Sequence, residues 1–481
     1  MSRHLAIALV WGAICSCGHA EDLSRDEAAT ALKSAVRFFT ADVATEGGYL
    51  WRYSEDLAYR EGEGRADEQT VWVQPPGTPS VGIALLAAYH ATGNKDYLQA
   101  AVDAGMCLVR GQLRSGGWDY RIVFDPTARK RYAYRVDQPV AGKTQRNTAT
   151  LDDNTTQSAI RFLMRLDKTL RFEDGKIHEA VTFALDSVLA AQYPNGAWPQ
   201  RYDGPLQDRE KYPVMKASYP ESWSREFPQQ DYRGFYTLND NAQNDVITLM
   251  LEAARIYGDE KYRAVALRGG DFLLAAQMPD PQPGWAQQYD LDMHPAWARK
   301  FEPPSITGGE SQRTMQTLLM LYRETGEERF VQPIPRAISY YRKSLLDDGR
   351  LARFYELKTN RPLYFTKDYR LTYSDADMPT HYAFKVGSNL DRIKRDYKKL
   401  AVDGPGKPQS PWPRFANKTT LDLTNRAAEI VRSLDDRGRW VEWGRLKYHG
   451  DKNGTLFNIN CQTFVTNVTV LAEYLAATRS K

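Results

Sequence analysis

Three runs of acidic and amide residues stand out in this chain: Asp152-Asp153-Asn154-Thr155-Thr156, Asn239-Asp240-Asn241 and Gly308-Gly309-Glu310-Ser311. Each lies at the start of a stretch with helical apolar spacing, or in the loop before it. One side chain is enough to cap a helix, and Asn154, Thr155 and Asn241 read first as caps. The first two runs hold more oxygen than capping uses. Surplus carboxylates suit a hard cation such as calcium, which takes oxygen ligands, or the acid/base pair of a glycosidase. A second set is basic: Ala298-Arg299-Lys300-Phe301-Glu302-Pro303, then Arg353 within Leu351–Glu356, then Thr359-Asn360-Arg361-Pro362. Guanidinium forks bind carboxylates bidentately, although an ordinary ion pair such as Arg299 with Glu302 is the plainer use of any one arginine. Carboxylates for a metal together with arginines for an anion fit an acidic sugar polymer better than a neutral one.

Other chemistries lack their motifs. The chain has no HExxH, no phosphate-binding loop, no GxSxG and no dinucleotide GxGxxG, and its histidines do not cluster. The net charge of +4 is too slight to call for nucleic acid. Hydrophobic residues at 42% leave room for a large core.

The elements that must position these groups are repeats. Thr92-Gly93-Asn94-Lys95-Asp96-Tyr97 is followed by Gln112 and Trp118; Tyr257-Gly258-Asp259-Glu260-Lys261-Tyr262 by Gln277 and Trp285; Asp174-Gly175 by Gln192 and Trp198. A fourth copy, Thr325–Phe330, loses the tryptophan. Each copy reads as a helical hairpin whose first helix ends at a glycine turn and whose second carries apolar spacing such as Val181, Ala184, Leu185, Val188. Strand-like alternation is sparse, and Trp118–Phe124 is the best candidate for a local hairpin.

Glu27–Phe39 reads as a lone second helix and Cys461–Ala477 as a lone first helix, so pairing the chain ends would close a ring. About six such hairpins make an all-α α/α toroid, a complete or partial ring. Thr366–Thr419 breaks the pattern as a long excursion around one helix near Leu390–Leu400. The Gly-Trp loops then share one rim. Trp118, Trp198 and Trp285 either plug helix ends or line a groove; with Gln200, Arg201, Gln287 and Asp290 beside two of them, a saccharide groove is expected.

The N-terminus reads as a secretory leader: Arg3, an apolar run Leu5–Ile14 and a cut after Ala20. Residues 21–481 then form one catalytic domain. Ile14-Cys15-Ser16-Cys17 loosely resembles a lipoprotein box, which would anchor the chain through Cys17. Removing the leader leaves Cys107 and Cys461 as candidates for a single disulfide.

From Asp152 to Tyr373 the order and spacing of several motifs resemble family-10 pectate lyases: Asp152–Leu163, Asn195-Gly196-Ala197-Trp198-Pro199-Gln200, Thr237-Leu238-Asn239-Asp240-Asn241-Ala242, Trp285-Ala286-Gln287, Ala298–Ser311 and Arg353–Pro362. The resemblance implies an exported lyase acting on polygalacturonate by β-elimination. It implies that Asp152 and Asp240 serve calcium, that Arg299 abstracts the C5 proton and that Arg353 or Arg361 binds galacturonate carboxylates. Asn239, Asn241, Trp198, Gln200, Trp285 and Gln287 would complete the substrate site. The sequence departs from the family pattern where Asp153, Arg201, Asp203 and Tyr289 replace Asn, Phe, Pro and His. Lys300 is the neighbouring alternative base. Two rival readings remain: a hydrolase or epimerase using Asp240 with Glu302 or Glu310, and a non-catalytic sugar-binding scaffold.

Overall fold

A computed structural model of the chain describes residues 23–406, 418–450 and 456–479. The expected leader, with Cys15, Cys17 and the cut after Ala20, lies outside the described residues. Twelve α-helices occur among those described: α1 Arg25–Phe38, α2 Thr78–Thr92, α3 Lys95–Gly111, α4 Thr155–Thr169, α5 Gly175–Ala190, α6 Ala242–Tyr257, α7 Glu260–Ala275, α8 Gly308–Thr325, α9 Ile334–Lys343, α10 Leu390–Asp403, α11 Leu421–Arg432 and α12 Cys461–Ala477. The even-numbered helices pack in a continuous row from α12 through α2, α4, α6 and α8 to α10, and the odd-numbered helices back them. This is the expected α/α toroid of six helical pairs.

The pairs form for the reasons the repeats imply. Helices α2, α6 and α8 end on Gly93, Gly258 and Gly326 at φ 76°, 69° and 73°, the left-handed cap that glycine adopts without strain. The copy at Asp174-Gly175 works differently. There Asp174 caps α5, accepting from the Lys176 and Ile177 amides, while Arg171 and Phe172 take the left-handed positions after α4.

The sixth pair joins the two ends of the described chain. Helix α1 packs on α12, Arg25 donates to the Leu475 carbonyl, and Phe39 stacks on Phe464 with ring centroids 3.7 Å apart. Helix α10 is the outlier: only Leu390, Ile393 and Leu400 are buried, and it packs on α8 and α9. The single helix expected inside the Thr366–Thr419 excursion is this one.

The strands that pattern did not reveal make up the rim. The strand before each inner helix pairs with the strand that follows the outer helix of the same pair: Thr70–Trp72 with Arg121–Val123, Ala149–Thr150 with Arg201–Tyr202, Tyr236–Thr237 with Gln288–Tyr289, Ile306–Thr307 with Phe354–Tyr355, and Phe457–Asn460 with Arg52–Ser54. These ribbons are two to four residues long, too short for alternation to register. Trp118–Phe124 is therefore not a local hairpin; its strand pairs some fifty residues back with Thr70–Trp72.

Cys107 and Cys461 are both buried and free, so the disulfide that the sequence left open is not formed. Burial pushes the Cys107 thiol up to about 12, which suits an inert core residue. No described helix is long and apolar enough to cross a membrane.

Candidate active site

The acidic runs fold into two matching turns, one before α4 and one before α6. Residues Asp152–Asn154 and Asn239–Asn241 each make a single tight helical turn. Within them Asp153 and Asn154 (φ 47° and 58°) and Asp240 and Asn241 (φ 49° and 62°) are left-handed. Such conformations cost non-glycine residues about 1–3 kcal/mol each and persist where surrounding structure imposes them. Neither Asn154 nor Asn241 caps its helix with its side chain, and the Thr155 hydroxyl is buried without a partner. The capping reading of all three is overturned: Asn154 and Asn241 are left-handed and do not aim their side chains at the free amides, and Thr155 is the first helical residue of α4 rather than its cap.

The strain gathers carboxylates. Oxygens of Asp152, Asp153 and Asp240 lie within 4.8 Å of one another. Burial, and then the neighbouring carboxylates, push Asp153 up to about 6 and Asp240 well above the usual carboxylate range. Charge this crowded is tolerated if a cation shares it. The remaining donors are also oxygen: Asp152 Oδ1, Asn154 Oδ1 and Asn239 Oδ1 are buried without hydrogen-bond partners. An all-oxygen set with three carboxylates fits calcium.

Neighbours fix the orientation of these ligands. Asn239 donates to Asp240 Oδ2 at 2.7 Å, the Tyr120 hydroxyl to Asp152 Oδ2 at 2.6 Å, and Gln74 Nε2 to Asp153 Oδ2 at 2.9 Å. The Gln74 amide has one orientation, because its Oε1 accepts from the Trp72 indole at 3.0 Å and an indole N–H only donates.

A basic wall faces the cluster. Buried Glu302 accepts from the Arg299 side chain, the Arg299 amide at 3.1 Å, Gln287 Nε2 at 2.8 Å and the Tyr382 hydroxyl at 3.0 Å. Burial opposes the Arg299 charge, but the bond to Glu302, together with Tyr382 and Asp240, overrides it and holds the guanidinium above its usual value. Arg353 pairs with Glu310 at 3.3 Å and lies over the Tyr382 ring, 4.6 Å from its centroid. Arg361 belongs elsewhere. It stacks on Tyr373 at 3.4 Å, beside the Arg225–Glu356 pair. Lys300 is turned onto Tyr369, its ammonium 3.6 Å from the ring centroid.

The tryptophans are a correction. Trp118, Trp198 and Trp285 do share one rim, yet each is fully buried. Their indole N–H groups donate to the Leu108, Val188 and Leu273 carbonyls at 2.9, 2.9 and 2.8 Å, in the last turns of α3, α5 and α7, where carbonyls lack intrahelical partners. They plug helix ends, and neither Trp198 nor Trp285 has a face open to a sugar. Gln287 and Asn239 are likewise buried and act on Glu302 and Asp240. Gln200 is buried, with Oε1 unpartnered, and Asn241 is exposed at its turn.

Asp153, Tyr382, Tyr120 and Gln74 enter the site beyond the residues expected. Asp153 had a usable signal: it occupies in its turn the place that Asp240 occupies in the next. Tyr382 had none, since it arrives from the irregular excursion through a small aromatic core of Trp297, Phe354, Phe365 and Phe384.

Residues 112–351 match the family model described as pectic acid lyase, so the molecule is an α/α-toroid polysaccharide lyase. The chain belongs to the pectic acid lyase family. No curated protein matches it. Among solved structures it is similar to a family 10 polysaccharide lyase from Cellvibrio cellulosa in complex with trigalacturonic acid, at 19% identity over 67% of this chain and 98% of that one, TM-score 0.46. It is also similar to a D-mannose isomerase (15% identity, 69% and 74% covered, TM-score 0.41) and to a GH76 α-mannanase from Bacteroides thetaiotaomicron (9%, 95% and 96%, 0.41).

Proposed function

We propose that the protein is an exported pectate lyase that cleaves polygalacturonate by calcium-assisted β-elimination. The observation that carries this reading is a site in which Asp152, Asp153 and Asp240 are gathered within electrostatic reach of Arg299 and Arg353. Asp152, Asp153 and Asp240 would hold the cation, which when bound neutralises the uronate carboxylate and the charge developing beside it. Arg353, steadied by Glu310 and Tyr382, binds a uronate carboxylate. Arg299 takes the C5 proton. The C5–H electron pair becomes the C4=C5 double bond, the C4–O bond breaks, and the leaving oxygen collects a proton from solvent. Because Glu302 favours charged Arg299, loss of the guanidinium proton limits the rate, and turnover rises toward alkaline pH. The apolar run Leu5–Ile14 after Arg3, read as a secretory leader, supports export.

A second reading, hydrolysis or epimerisation by Asp240 with Glu302 or Glu310, draws on the raised proton affinity of Asp240. It is the weaker one, because Glu302 is engaged by four donors and Glu310 holds Arg353. The products separate the two. Incubation with polygalacturonate should generate ultraviolet absorbance from the new double bond; new reducing ends without that absorbance would exclude the lyase.

A further inference from the structure

Arg201 stands at the same rim without an ion pair among the described residues; Asp231, a carboxylate within its electrostatic reach, is already paired with Arg233. It opens the strand Arg201–Tyr202, whose partner Ala149–Thr150 leads directly into the Asp152 turn. Its guanidinium lies over the Tyr120 ring, 5.7 Å from the centroid, and Nη2 donates to the Tyr120 hydroxyl at 3.3 Å. That hydroxyl donates onward to Asp152, so Arg201 is one side chain away from the acidic cluster. Arg299 and Arg353 each carry a carboxylate partner, Glu302 and Glu310. Arg201 has no ion pair among the described residues, and its Nε is buried without an acceptor. A buried donor left unmade is costly, and a guanidinium fork is matched by a carboxylate. Tyr232 lies within electrostatic reach of Arg201, Arg299 and Asp152 together.

We infer that Arg201 is a carboxylate-binding subsite for a uronate unit beside Asp152, distinct from Arg299 and Arg353. The inference rests on the polyuronate reading of the cleft. A chain lying across the cluster then meets Arg201 in addition to Arg299 and Arg353. Methyl-esterification of the unit at Arg201 removes the charge that this subsite recognises, so Arg201 favours free-acid chains.

The test is calorimetric binding of trigalacturonate to the whole protein in calcium, for wild type, Arg201→Gln and Arg201→Lys, with calcium affinity and lyase kinetics measured alongside. Arg201→Gln should weaken trigalacturonate binding roughly 10- to 100-fold and raise KM with little change in kcat. Arg201→Lys, which keeps the charge without the fork, should recover part of the loss. Calcium affinity should hold or improve, since a cation beside the cluster is gone. Unchanged trigalacturonate affinity in Arg201→Gln overturns the subsite, as does a loss traced to weakened calcium binding. If wild type binds trigalacturonate through Arg201 but makes no unsaturated product, the subsite stands and the lyase reading fails. If wild type does not bind trigalacturonate, both fall.

Discussion

Two sets of residues repeat around one rim of this toroid and end in opposite states. In the Gly-Trp loops the indole and glutamine N–H donors are satisfied, and the orphaned atoms, Gln112 Oε1 and the Ser115 hydroxyl, are uncharged. Each indole closes a helix-end carbonyl, and Gln112, Gln192 and Gln277 each donate both to their own loop and to the next outer helix or its cap. The turns before α4 and α6 are unsatisfied: left-handed at two consecutive residues, crowded with carboxylates and holding orphaned oxygens. Repetition alone does not separate scaffold from site. Gathered charge on left-handed backbone does, because crowded carboxylates and strained residues persist only where something outside the chain completes them or the fold imposes them.

The comparison can be broken most sharply at the basic wall. Arg299→Ala should lower turnover about 10²- to 10⁴-fold while trigalacturonate affinity changes far less; steady-state kinetics with parallel binding checks this. If Arg299→Ala turns over normally and Lys300→Ala is dead, the base is misassigned. Trp198→Ala tests the other set. It should cost about 3–5 kcal/mol of stability in a denaturant titration and leave the calcium affinity of the folded fraction unchanged. A Trp198→Ala protein of normal stability that had lost substrate binding would return the tryptophan to the groove.

A smaller effect tests the electrostatics. Asp153 and Asp240 are both raised above an unfolded carboxylate near ~4. Their contribution to stability is therefore full below that value and is lost as pH rises through about 6 for Asp153 and higher for Asp240. Calcium removes the repulsion, so the rise in Tm on adding calcium should grow steadily from pH 5 to pH 9. A calcium shift that stayed constant across that range would contradict the cluster's role.

Much of this was legible in the residues. Glycine caps, apolar spacing and the recurring Gln and Trp give the helical pairs and the meeting of α1 with α12, because these are local signals repeated in register. Asp152, Asp240, Arg299 and Arg353 were legible as charged groups in excess of capping and were brought to one site. The tryptophans misled because a buried plug and an open platform call for the same residue in the same loop; only the partner of the indole N–H tells them apart. Gln74 and Tyr382 were hidden because each reaches the site through long-range packing: Gln74 from a segment before the family match, Tyr382 from an irregular excursion. Arg361 lies close to Arg353 in sequence, but the turn between the two strands carries it to Tyr373 instead.

The central claim is that the unsatisfied turns bind calcium through Asp152, Asp153 and Asp240. Calorimetric titration of calcium into wild type and Asp153→Ala at pH 8 tests it directly, since Asp153 was singled out by the geometry. The account predicts one saturable site in wild type, weakened at least about tenfold in Asp153→Ala because an all-oxygen site loses a charged ligand. Equal calcium affinity in the two proteins, or no binding to wild type, would contradict it.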